Sequence, residues 1–303
     1  MEAEIIEVKQ AEILQAINKS EIDMQIATAK QYPRDLPTVL NKIETYATMD
    51  TETAEDCFYA LRRQGANGEN QTIEGLSVRM AEIIASAWGN LRVQTRIIGN
   101  DGRFITAQGI CHDLETNVAV SKEVKRRITN KYGKTFSDDM QVVTGNAAAS
   151  IAFRNAVLAV VPKAVTKKII ANVKQVAIGQ AIDLETGRQN AILNYTKAGV
   201  NEQLLFDYLG ISKKEQIDKE MLFELKALWN AIKEGTTTVE ETFIKPQQEK
   251  KAAEEAQKKA QEAKAKATAA QNRQSSAKTN KTTEVNGEKV DPKTGEIFNE
   301  TNK

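Results

Sequence analysis

At 303 residues the chain is long enough for one or two domains with a sizeable core. Its 42 Lys/Arg against 41 Asp/Glu leave a formal charge of +1, so any affinity for nucleic acid must come from segregated rather than overall charge. Two cysteines, Cys57 and Cys111, exclude a disulfide framework, the acidic start MEAEIIEVKQ is unlike a signal peptide, and no apolar run reaches bilayer length, so a soluble, cytoplasmic protein with no membrane partner is expected.

Residues 9–30 are predicted to form a first helix, with Ile13, Ile17, Met24 and Ile26 as loosely spaced apolar positions. Pro33 and Pro37 end it, because proline and the residue before it resist helical geometry. Leu36, Val39, Leu40, Ile43 and Ala47 predict a second helix. A third, capped by Thr51 or Thr53, is expected to carry Cys57, Phe58 and Leu61. Residues 64–71, with two glycines and two asparagines, read as a flexible loop. A fourth helix is predicted from Ile73, Leu76, Met80, Ile83, Ile84 and Trp88 on one face, stopping at Gly89-Asn90.

Beyond it, LRVQTRII and RFITAQGICHDLE alternate at period two around a Gly99-Asn100-Asp101-Gly102 turn, and VAVSKEV follows a turn at Thr116-Asn117. The expected fold is therefore α+β, with a three-stranded antiparallel meander flanked by helices. From Asn146 to Val161 nearly every residue is apolar or small, which predicts a covered helix whose alanines admit close approach to the sheet or a neighbouring subunit. Helical signals resume after Pro162 with Val165, Ile169, Ile170, Val173 and Val176. Helices near 187–198, 202–209 and 218–234, stopped by Gly199, Gly210 and Gly235, complete a small helical subdomain.

After about Pro246 the composition becomes polar and repetitive: Glu249 to Gln271 holds helix formers with no apolar face to bury, and 272–290 is expected to be disordered. The closing VDPKTGEIF ends in Ile297-Phe298 and reads equally as a partner-docking peptide or as an end of no consequence. The domain organisation predicted is an N-terminal helical segment 1–71, a core 72–175, a helical subdomain 176–245 and a tail 246–303.

The most charged piece is Lys122 to Lys134, KEVKRRITNKYGK, with six basic residues against one acid in a nearly neutral chain. That contrast points to an anion site, here single-stranded nucleic acid. Lys122, Lys125, Arg126, Arg127, Lys131 and Lys134 are its candidate phosphate contacts. Arg79, Arg154, Lys163, Lys167 and Lys168 are further candidates, and Phe104 and Tyr132 are candidate base-stacking residues. A basic stretch taken alone is more often a solvated face, and Trp88 reads as core. Arg154, inside a covered helix, requires either an acidic side chain or a phosphate as partner.

Other chemistries are less well founded. Gly133-Lys134-Thr135 lacks the earlier glycine of a phosphate-binding loop, since Ile128 stands there, so no ATP site is expected. Cys111 and His112 are adjacent on a strand and point to opposite faces, which argues against zinc. Asp113 with Glu123 and Lys125 imitates a metal-dependent nuclease and stays open as an alternative.

The block IEGLSVRMAEIIASAWGN, the meander after it and SIAFRNAVLAVVPKAV together resemble the annealing core of the single-strand annealing proteins, the superfamily of the eukaryotic Rad-fifty-two protein and the phage Erf, RecT and Red-beta recombination proteins. Ile73-Glu74-Gly75 and Arg79 match the first block, with Arg79 slightly later than the family's arginine. Arg154 falls where the later helix of that family carries DNA-contacting basic residues, while neighbouring basic positions are Phe153 and Val157 here. The tract Arg188 to Phe243 and the closing DPKTGEIF are similar to the downstream helices and tails of phage recombination proteins. The resemblance implies a DNA-binding protein rather than an enzyme, assembling into a ring or filament. It would anneal single strands in homologous recombination and repair without ATP, metal or other cofactor, in a phage's bacterial host. It also implies that the tail engages an exonuclease or a host single-strand binding protein. A passive strand-binding protein and an assembly protein with acidic partners remain the other readings.

Overall fold

The computed structural model describes residues 2–64, 70–130, 132–179, 184–249, 252 and 255–261. Lys131, the predicted disordered segment 272–290 and the DPKTGEIF ending lie outside the described residues. Residues 1–244 form one compact unit. Within the other, 245–303, residues 245–249 and 255–261 are helical.

The protein is α+β. Helix α1 spans Glu2–Gln31 and α2 spans Leu36–Ala47. Asp35 caps α2 by accepting the Thr38 N–H at 3.0 Å. Helix α3 is a short Thr51–Asp56 segment, capped by Asp50 through the Thr53 N–H at 2.7 Å. Here the structure departs from expectation. Phe58 and Leu61 belong to a strand, β1 (Phe58–Gln64), paired antiparallel with β2 (Asn70–Leu76). The helix expected to begin at Ile73 begins instead at Val78, after Ser77 accepts the Met80 N–H at 3.2 Å, and α4 runs Val78–Trp88. Gly75 explains part of the difference. The Tyr59 ring lies flat over it, so that a Cβ at 75 would sit 2.5 Å from ring carbon Cζ.

The second sheet matches the predicted meander: β3 (Leu91–Asn100), β4 (Phe104–Asp113) and β5 (Val118–Arg127), in that order and all antiparallel. Asp101 shapes the first turn by accepting the N–H groups of Arg103 at 2.8 Å and Phe104 at 2.6 Å. Those amides hold its carboxyl below the usual carboxylate range. Helix α5 (Asp138–Val160) packs across this sheet. Its backbone comes so close at Gly109 that a Cβ there would lie 2.3 Å from the Ala152 carbonyl oxygen, which is the use made of the alanine-rich run.

Helices α6 (Lys163–Gly179), α7 (Leu184–Lys197), α8 (Glu202–Leu209) and α9 (Lys219–Lys233) follow, with Gly199, Gly210 and Gly235 all at positive φ just beyond their helices. One core joins α2, α3, β1, α4 and α6 with Phe223 and Ala227 of α9, and so unites segments from both sides of residues 71 and 175. The other face of α9 closes a second cluster around Tyr195, Leu205, Leu225 and Phe243. Among the described residues no single helix is long and apolar enough to cross a membrane, and the one pair passing that test together, α5 with α6, is bent by 117°.

Candidate nucleic-acid interface

Strand periodicity divides the three-stranded sheet into two unlike faces. Along β4, Ile105, Ala107, Cys111 and Asp113 are buried toward α5, while Phe104, Thr106, Gln108, Ile110 and His112 alternate with them on the opposite, half-exposed face. Register carries that open face onto its neighbours. Arg92 and Arg96 of β3 stand opposite His112 and Gln108, and Glu123, Lys125 and Arg127 of β5 stand opposite Gln108, Thr106 and Phe104. Side-chain contacts agree: Arg96 Nε donates to Gln108 Oε1 at 2.9 Å, and the Arg127 guanidinium lies 5.8 Å from the Phe104 ring centroid. At one end Arg92 donates to Gln25 of α1 at 3.0 Å, so α1 borders the face there.

The opposite end, by the β3–β4 turn, is the more basic. Arg103 is exposed beside the turn, and its carbonyl accepts the Ile128 N–H at 2.8 Å, which brings the end of β5 against it. The chain then loops out and returns through a bridge between Thr129 and Thr135. Tyr132 at the loop's apex is 83% exposed, and Lys134 is exposed beside it. Arg103, Lys125, Arg127 and Lys134 thus gather at the end that also holds Phe104 and Tyr132.

The remaining candidates do not join this group. Lys122 falls opposite Gly109, on the α5 side of the sheet, where it is exposed at the β5 edge. Arg126 falls on the same side and is turned inward: it donates to the backbone carbonyls of Gly235 and Thr236 beyond α9, the latter at 3.3 Å. Burial lowers its pKa. Arg154 is 6% exposed; its Nη1 lies 3.5 Å from Glu234 Oε2 and its guanidinium stacks 4.6 Å from the Tyr59 ring centroid. Of the two partners open to this arginine, the chain supplies the acid. Arg79 is exposed on α4 and pairs with Glu82 at 2.8 Å, away from the open face. Lys163, Lys167 and Lys168 are exposed on α6. That helix starts where α5 ends, and α5, whose 23 residues span about 35 Å at 1.5 Å per residue, has Gln141 near Asn100 toward one end and Ala156 and Val157 in the core with Trp88 and Cys111 toward the other.

The nuclease-like trio is not assembled. Asp113 is buried and held bidentately by Arg34, with both N–O distances 2.7 Å, beneath the cation–π contact of Arg34 with Trp88. Burial alone would raise its pKa, but Arg34 and the Glu115 amide outweigh that and leave it lowered. Glu123 is on the other face, opposite Gln108, five residues along β4 from Asp113, or about 17 Å. Cys111 and His112 do point to opposite faces. Cys111 is buried, which pushes its thiol up to about 11, whereas His112 Nε2 meets Asn117 Oδ1 at 2.9 Å.

Arg92 and Arg96 stand on the open face and Arg103 is exposed at its turn end, three cations not among the candidates read from the sequence. For Arg92 and Arg96 the signal was available in the period-two alternation of LRVQTRII. No protein-family model, curated protein or solved structure matches this chain.

Proposed function

We propose that the protein binds single-stranded DNA on the open face of its three-stranded sheet and anneals complementary strands without ATP. One observation carries this reading. The sheet face turned away from α5 bears Arg92 and Arg96 on β3 and Lys125 and Arg127 on β5, the last beside Phe104, with Glu123 as its acid on β5, in a chain whose net charge is only +1. Cations lined along extended strands follow a phosphate backbone, and the half-exposed ring offers a stacking platform that tolerates any base. A sheet face binds one strand on one side and leaves base edges exposed, as pairing with a second strand requires. The resemblance of residues 73–90 and 150–165 to annealing proteins favours annealing over passive protection.

The reading includes assembly into a ring or filament in the cytoplasm of a bacterial host. The outer edges of β3 and β5 are the ends of the sheet, and Ile97 and Ile98 of β3 are exposed, as are Met140, Val142 and Val143 of α5. A monodisperse monomer by light scattering, with and without DNA, would remove that part. The tail's docking to an exonuclease or a single-strand binding protein rests on its sequence alone.

The deciding experiment mixes two complementary labelled oligonucleotides without ATP, with and without Mg²⁺. Pairing faster than the spontaneous rate, with both strands intact, is expected. Slower pairing would make the protein a passive strand binder, and Mg²⁺-dependent shortening would restore the nuclease.

A further inference from the structure

The end of the open face away from the β3–β4 turn is walled. There α1 lies beside the start of β3, and the two frame a groove of about 630 Å³, within the roughly 300–1,000 Å³ of small-molecule sites. Glu21, Met24, Gln25 and Thr28 line it from α1, and their spacing of three, four and seven residues sets them on one helix face. Arg92 and Gln94 line it from β3, on the strand face that carries Arg96. The Arg92–Gln25 hydrogen bond at 3.0 Å occupies that arginine and spans from strand to helix. Glu21 and Gln94 are exposed, and neither makes a hydrogen bond or ion pair with another described residue. A carboxylate in this position repels phosphate, so the groove suits the uncharged part of a nucleotide. What a carboxylate accepts from a base is an N–H, above all that of an exocyclic amine such as cytosine N4. Met24, 64% exposed, adds a thioether able to lie against a flat ring.

We propose that this groove takes one nucleobase of the bound strand, chosen for an exocyclic amine that donates to Glu21, with Met24 against the ring. The inference rests on the single-strand-binding reading and adds to it a base preference and a place for it. Phosphates pass over the cations of the sheet, while one base turns into the groove at the α1 end. Thymine and uracil present a carbonyl where cytosine presents its amine, and the carboxylate repels that oxygen.

The test measures the affinity of the full chain, at mildly alkaline pH, for an oligodeoxycytidylate and an oligodeoxyuridylate of equal length, which differ only along the edge that carries amine or carbonyl. The parent is expected to favour the cytidylate about 5-fold or more, the lower end for one specific base contact. Glu21→Gln, whose amide donates as well as accepts, should bring the ratio of the two affinities close to one. Asp23→Asn removes the same charge from α1 at a position outside the groove and should keep the parent's ratio, whatever either variant does to both strands alike. A parent that binds the two strands equally would remove the base site and leave the sheet-face reading in place. A preference that survives in Glu21→Gln, or that Asp23→Asn abolishes as well, would also overturn the site. A parent chain that binds neither strand overturns both the site and the reading beneath it.

Discussion

Arg126 and Arg127 are adjacent, chemically identical and differently employed. Arg126 faces α5 and gives its donors to the Gly235 and Thr236 carbonyls, while Arg127 faces away and lies over Phe104. The same division holds across the molecule. On the covered side, Arg34, Arg126 and Arg154 are bound by Asp113, backbone carbonyls and Glu234, and they hold distant segments together. On the open side, Arg96, Lys125 and Arg127 stand on the face turned away from α5, exposed among the described residues. A positive charge is available to a ligand only where the fold has not already employed it.

Breaking the covered side should cost stability. Arg154→Ala leaves Glu234 buried without its cation and is expected to lower unfolding free energy by about 3–5 kcal/mol in denaturant titration. The affinity of the remaining folded protein for single strands should be unchanged; a variant of normal stability that fails to bind would return Arg154 to the interface. Gly109→Ala tests the same side by packing, since its Cβ meets the Ala152 carbonyl, and a loss of about 1–3 kcal/mol is expected.

Breaking the open side should cost affinity. Lys125→Gln with Arg127→Gln is expected to weaken single-strand binding and to flatten its log–log salt dependence by about 1.4, or 0.7 for each phosphate no longer neutralised, while thermal unfolding stays within about 0.5 kcal/mol of the parent. Arg126→Gln makes the opposite prediction, with stability lost and the salt slope kept. Convergent behaviour of these variants would erase the distinction between faces. The smallest effect is assigned to Lys163→Gln with Lys167→Gln and Lys168→Gln, for which less than about a twofold change in affinity is expected at 0.15 M salt, given their distance from the sheet's basic end.

Acid should probe the covered side separately. Asp113 has a lowered folded pKa, so its contribution is fully present above its unfolded value near 4 and is lost as pH falls through the lower, folded one. Asp113→Asn should flatten the stability–pH curve below about pH 4 relative to the parent. Glu234 acts with opposite sign. Burial raises its pKa against the pull of the Val78 amide and Arg154, so its ionisation opposes folding as pH rises through that value.

Much of this arrangement was legible. The meander, its turns and helix stops at Gly199, Gly210 and Gly235 follow from local rules, and all are present in the structure. The β1–β2 hairpin was not legible, because Ile73, Leu76 and Met80 happen to fall at helical spacing, and the pairing of Phe58 with Leu76 spans residues that no short-range pattern connects. Ser77, which caps α4, was the local sign of the true boundary.

The amino-acid sequence by itself determined where the cations are, how strands alternate and that the charge near Lys122–Lys134 is concentrated. Tertiary structure alone decided which of those cations face solvent, because Arg126 meets Gly235 and Arg154 meets Glu234 across more than 75 residues of chain. Period two assigns neighbouring side chains to opposite faces, but which face receives a helix depends on packing between segments remote in sequence.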